Sequence, residues 1–172
     1  MRHNLFIVLF ALLTAGCAAP EAGTIYNPPA LPHPARLFPA EALVTQRAVL
    51  TVHGRQFTLN GYVAKSEARG LRLIVTENFG GVLADVLVKP DGKVFVLKTG
   101  PPFRPAWVEN YIAADLKSVF DDRTKADGSL RMLSDTHFVI ERSGYELDLR
   151  TVAVKPGPQP AEMFEVPGGG KP

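Results

Sequence analysis

The sequence predicts a mainly β fold: one antiparallel, strongly curved sheet with a single principal helix. Three observations carry this. Between Gln46 and Val154 the hydropathy alternates with a period of two, the mark of strands with one face inward. One stretch, Arg104 to Phe120, switches to a helical period. The third to fifth strands are apolar on both faces, which leaves more apolar surface than one helix can cover.

The first strand, RAVLTVHG (47–54), sets Ala48, Leu50 and Val52 against Val49, Thr51 and His53. The second, RQFTLNGYVA (55–64), sets Phe57, Leu59, Gly61 and Val63 against Gln56, Thr58, Asn60 and Tyr62. Gly54-Arg55 between them reads as a tight hairpin turn. GLRLIVTEN, GGVLADVLVK and KVFVLKTG follow, with Gly80-Gly81 and Pro90-Asp91-Gly92 as turns. In the helix, Val108, Tyr111, Ile112, Leu116, Val119 and Phe120 form one apolar stripe. Pro105 suits its first turn, and Glu109 falls where the helix dipole favours an acid. SLRMLS, HFVIERS and YELDLRTVAV complete eight strands, and their short connections predict antiparallel neighbours.

A helix about 10 Å wide covers only about two strands spaced about 4.8 Å apart. The rest of the apolar surface needs another cover. A closed interior, a second layer, a partner or an acyl ligand would each serve, and so would a sheet that curls round the helix. Asp85, within an apolar strand, is expected at an outward edge position or paired with an ion such as Lys89.

The ends differ from the middle. Met1 to Asn4 is short and positively charged, Leu5 to Leu13 is an unbroken apolar run, and small residues follow. This is the order of a secretory signal peptide, and the run is too short for a transmembrane span. A signal peptidase could cut near Ala18-Ala19. Alternatively, Ala15-Gly16-Cys17 resembles the lipobox of bacterial lipoproteins, although Thr14 stands where that pattern has Leu. Cys17 is the only cysteine, so no intrachain disulfide or four-thiolate metal site can form, and a lone thiol fits lipidation. The reading adopted is a lipoprotein signal peptide (1–16), then lipidated Cys17 and a Pro-rich tether (17–42). A folded domain (43–155) and a Pro/Gly-rich tail (156–172) follow. Ala18 rather than Asp after the cysteine implies, by resemblance to enterobacterial sorting, the outer membrane, facing the periplasm. In the tether, Tyr26, Leu31, Leu37 and Phe38 are potential contacts and His33 is expected in solvent; in the tail, Met163-Phe164 is expected to add a short edge contact. A net charge of +2 with no Lys/Arg cluster argues against nucleic acid.

The stretch FTLNGYVAKSEARGLRLIVTENFGGVLADVLVKPDGKVFVLK, followed by PAWVENYIAADLKSVF, resembles the LolA/LolB-like superfamily, and within it a bacterial outer-membrane lipoprotein family. The resemblance covers about Leu43 to Val154. It implies a half-open antiparallel β-barrel capped by helices, with an apolar concave face that holds acyl chains. LolB inserts an exposed leucine on a protruding loop into the membrane; no residue is carried over for that role. The expected function is a monomeric, membrane-anchored lipoprotein that binds or transfers an acyl chain, lipid or lipidated partner. Candidate groove residues are Leu59, Leu73, Val86, Val96, Trp107, Tyr111 and Leu116. The alternative is a non-catalytic accessory protein whose apolar face docks another envelope protein.

No constellation points to an enzyme, a metal or a cofactor. Ser134-Asp135-Thr136-His137 brings triad residue types together, but a triad is made in space, and neighbours in a turn point apart. Asp121-Asp122 reads as a solvated helix end. His53 and His137 lie in separate strands with no third ligand signalled. The Gly pair before Val82 lacks the Gly-Lys-Ser/Thr of a phosphate loop.

Overall fold

A computed structural model describes residues 32–125 and 128–168. The segment expected to be a signal peptide, Cys17 and the first part of the expected tether lie outside the described residues. Eight strands form one sheet: β1 (Glu41–Val52), β2 (Arg55–Ser66), β3 (Gly70–Glu77), β4 (Val82–Val88), β5 (Val94–Thr99), β6 (Leu130–Ser134), β7 (His137–Arg142) and β8 (Tyr145–Pro156). Their spatial order is β5-β4-β3-β2-β1-β8-β7-β6, with every neighbouring pair antiparallel. β5 and β6 are free edges, so the sheet is not closed. Helix α1 (105–120) follows β5 and leads into β6, so it connects one edge of the sheet to the other. Five strands, one helix and three antiparallel strands is the order that the periodicity predicts.

Alternation puts one face of every strand inward. Val44, Leu50, Leu59, Val63, Leu73, Val86, Phe138, Ile140 and Leu149 join a single core with Val108, Leu116, Val119 and Phe120 of the helix. Val94 of β5 and Leu130 of β6 pack against that same core. A flat sheet of eight strands would be too wide for one helix to gather both edges, so the sheet curls. Register shifts at Thr45/Gln46, Val75/Thr76, Asp85/Val86 and Met132/Ser134 supply local bends.

The β1–β2 turn sits one residue earlier than Gly54-Arg55. His53 (φ 48°) and Gly54 (φ 76°) are both left-handed, as a two-residue turn of matching twist requires, and Arg55 opens β2. Gly70 is demanded by close packing: a Cβ there would lie 2.0 Å from the Val88 carbonyl oxygen.

The helix has three parts. Pro105–Trp107 and Ala113–Phe120 are α-helical, and Val108–Ile112 is a π turn closed by the Ala113 N–H donating to the Val108 carbonyl. Val108 and Ala113 are fully buried, whereas Tyr111, expected on the buried stripe, is 41% exposed. The wider turn brings i and i+5 into line and leaves the residue at i+3 outside.

Both ends of the domain are tied down. Pro34–Leu37 forms a 3₁₀ turn, and Phe38 is buried beside Phe120 (ring centroids 4.7 Å apart) and Phe138 (6.2 Å). The buried Lys65 ammonium donates to the Ala35 (2.9 Å) and Phe38 (3.2 Å) carbonyls, and burial lowers its pKa. His33 is not simply solvated: its Nδ1 accepts from the Ala35 N–H, and its Nε2 lies 3.1 Å from the Thr124 carbonyl. These contacts plug one end of the curled sheet.

The second apolar face of the central strands also has its cover. The tail turns back in a 3₁₀ turn, Ala161–Phe164, and Phe164 is buried with Ala64 and Leu87 on the outer face, beside Leu43, Phe95 and Leu97. This is more than an edge contact. Arg72 and Lys89 donate to the Met163 and Phe164 carbonyls, at 3.0 and 2.5 Å. Asp85 is neither at an edge nor paired with Lys89. It lies on the inner strand β4 and takes a two-point contact from Arg72, at 2.9 and 2.7 Å.

Candidate functional site

The inward face does not fill completely. A cavity of about 70 Å³ lies beneath the helix, lined almost entirely by apolar side chains of β1, β2, β3 and β8 and by Ile112, Leu116 and Val119 of α1. It adjoins an open recess of about 790 Å³. Leu50, Phe103, Trp107 and Tyr145 line both, so they form the wall between them. The recess lies at the end of the sheet opposite the Phe38 plug, among the β1–β2 turn, the segment before α1 and the β7–β8 turn.

Aromatic rings build that wall. Phe103 stacks on Trp107 with centroids 5.2 Å apart and planes 2° from parallel. Trp107 meets the Tyr145 ring edge-on at 5.5 Å, and Tyr111 meets it at 5.9 Å and 90°. Both geometries suit the ring quadrupole. Tyr145 is fixed from below. Its hydroxyl donates to Asp115 Oδ2 at 2.5 Å, while Arg142 Nε and a terminal nitrogen donate to Asp115 Oδ1 at 3.1 and 3.0 Å. Burial, and then the Asp115 contact, push the Tyr145 pKa well above the usual phenol range. A phenol so held is a neutral donor. The trio pins the helix to the β7–β8 hairpin.

Two residues of β1 and β2 shape the inner cavity in different ways. Gln46, 4% exposed, lines it, and among the described residues its Nε2 has no hydrogen-bond partner. A buried donor in this state calls for a water or a ligand oxygen. Gly61, opposite Gln46 in the β1–β2 register, makes room: a Cβ there would meet Leu73 Cδ1 at 3.6 Å and Gln46 Cβ at 3.7 Å, ordinary contacts.

The candidate groove residues divide three ways. Leu59, Leu73, Trp107 and Leu116 line the inner cavity, Trp107 also lines the recess, and Tyr111 lines the recess alone. Val86 is fully buried and Val96 half-buried in the same core, and neither lines either space. The π turn packs on β4 and β5 and closes off the surface those two would offer. Periodicity missed Asp115 and Tyr145. Asp115 stands at i+7 from Val108, inside the apolar stripe, and a lone acid there was the available signal. Phe79, 97% exposed on the β3–β4 turn toward the recess end, was also missed; it is the single apolar residue between Asn78 and two glycines.

The residues that suggested chemistry do not assemble. Ser134 Oγ lies 3.4 Å from Thr136 Oγ1, whereas His137 Nε2 lies 3.0 Å from Asp148 Oδ2. Asp121 pairs with Arg123. Among the described residues no three His, Cys, Asp or Glu side chains cluster as metal ligands, and no helix is long and apolar enough to cross a membrane. No protein-family model matches this chain, and no curated protein matches it in sequence.

Proposed function

We propose that this protein is a lipid-anchored carrier of the LolA/LolB-like, half-open-barrel kind. In this reading Cys17 is acylated and holds the domain at the outer membrane, facing the periplasm. The curled sheet and helix bind the acyl chain of a lipid or lipidated partner. The observation that carries the reading is an apolar interior plugged at one end and separated from an open recess at the other by the side chains of Leu50, Phe103, Trp107 and Tyr145. No chemistry is required of such a protein, only an occupancy that changes with the partner. The inner cavity is smaller than the ~150 Å³ apolar cavity that admits benzene, so it takes the end of a chain. A longer insertion displaces the Trp107–Tyr145 wall. Phe79 gives the recess end an apolar tip suited to touching a membrane or a partner.

Gly61→Val tests this. Its methyl groups occupy the inner cavity, in a strand where a β-branched residue is well suited. The melting temperature should hold or rise, and binding of the neutral apolar dye N-phenyl-1-naphthylamine should weaken about tenfold. A variant that folds as the parent and binds the dye equally well contradicts the reading. So does a parent that binds no dye, which would favour the docking protein. If Gly61→Val does not fold, Gly61→Ala makes the same comparison with a smaller expected loss.

A further inference from the structure

The recess has a charge pattern that the inner cavity lacks. Arg55, the first residue of β2, and Arg104, immediately before the helix, both line it, with His53 and Ser143 beside them. Among the described residues no carboxylate lines it. Arg72, Arg123, Arg131 and Arg142 each pair with an acid, at Asp85, Asp121, Glu141 and Asp115. Among the described residues neither Arg55 nor Arg104 has an ion-pair partner. The one acid of the inner cavity, Asp115, is already engaged by Arg142 and Tyr145, so it does not compensate them.

We propose that the recess selects amphiphiles with an anionic head, a phosphate or a carboxylate. Arg55 and Arg104 hold the head, and the chain runs past Trp107 and Tyr145 into the inner cavity. This rests on the carrier reading and adds to it the class of ligand. Guanidinium forks match the oxygens of either head in two-point contacts. The aromatic wall alone would also suit a quaternary ammonium head. Two guanidinium groups at the same recess repel that alternative and favour the anion.

Trp107 is the only tryptophan and lies at the junction of head and tail, so its fluorescence reads the site directly. The protein recovered from cells expressing the full chain with Cys17→Ser, which carries no acyl group of its own at that thiol, is titrated below micelle formation. The probes are dodecyl phosphate, tridecanoate, dodecyl maltoside and dodecyltrimethylammonium, which share a twelve-carbon alkyl tail, and inorganic phosphate as a head without a tail. At least one of the two anionic amphiphiles should bind about tenfold tighter than the maltoside, and their order tells phosphate from carboxylate. The cationic probe should bind weakest. In the doubly substituted Arg55→Gln, Arg104→Gln chain the preference should shrink to within about threefold, with an unchanged melting temperature showing that the fold survives. Equal binding of all tailed probes, with no effect of the substitutions, would overturn the head assignment and leave the carrier reading standing. Inorganic phosphate binding as tightly as dodecyl phosphate would overturn it in favour of a plain anion site. No response to any tailed probe would overturn both.

Discussion

Asp115 is an acid where the helix should be apolar. Its position costs desolvation, and it persists because every face of the carboxylate is engaged: two nitrogens of Arg142 on one oxygen, the Tyr145 hydroxyl on the other. Tyr145→Phe should cost about 1.5–3 kcal/mol at neutral pH, the worth of a hydrogen bond to a charged group. The Tyr145 pKa is higher folded than unfolded, so its contribution is complete below the ordinary phenol pKa of about 10 and is lost as pH rises beyond it. Denaturation by urea at pH 8 and pH 11 should therefore show the gap between parent and Tyr145→Phe narrowing at the higher pH. A gap that stays constant would mean that Asp115 does not hold the phenol neutral. Of the trio, only Asp115 was visible in the sequence, as a charge at i+7 of an apolar stripe. Its partners come from β7 and β8, and a pairing across 27 or 30 residues leaves no mark in local periodicity.

At the scale of elements, alternation was a good guide because a strand with one buried face must show it. The strand count and the single helix follow from period, and the antiparallel order from the short connections. What period could not reveal was the cover of the second face. The tail's proline and glycine content leaves room for no more than a short edge contact at Met163-Phe164, yet these residues close the outer surface of β3 and β4. The apolar surplus of those strands is thus met on the outside by the chain's own end. Phe164 is 2% exposed, and Phe164→Ala should destabilise by about 3–5 kcal/mol, read as a lowered urea midpoint with nearly unchanged slope. A loss under 1 kcal/mol would show the tail to be a loose wrap. The π turn is the other hidden element. It moved Tyr111 from the expected stripe to the recess, because one extra residue in a turn rotates the register that a fixed 3.6 period assumes, and it packs on the strands that hold Val86 and Val96.

For the whole domain, the open sheet sets the functional argument. A curled sheet with free edges at β5 and β6 is plugged by Phe38 and Lys65 at one end and walled by Leu50, Phe103, Trp107 and Tyr145 at the other, where its interior adjoins the recess. The proposed anchor at Cys17 and the proposed carrier interior support one another, since a tethered domain with an apolar interior can exchange a chain with the surface that holds it. Native mass spectrometry tests this account most directly. Protein from cells expressing the Cys17→Ser chain is purified without detergent, beside the same chain carrying Gly61→Val. The account predicts an adduct of lipid mass on the first, lost on denaturation, and a bare mass for the second. A bare mass for both, or the same adduct on both, would contradict it.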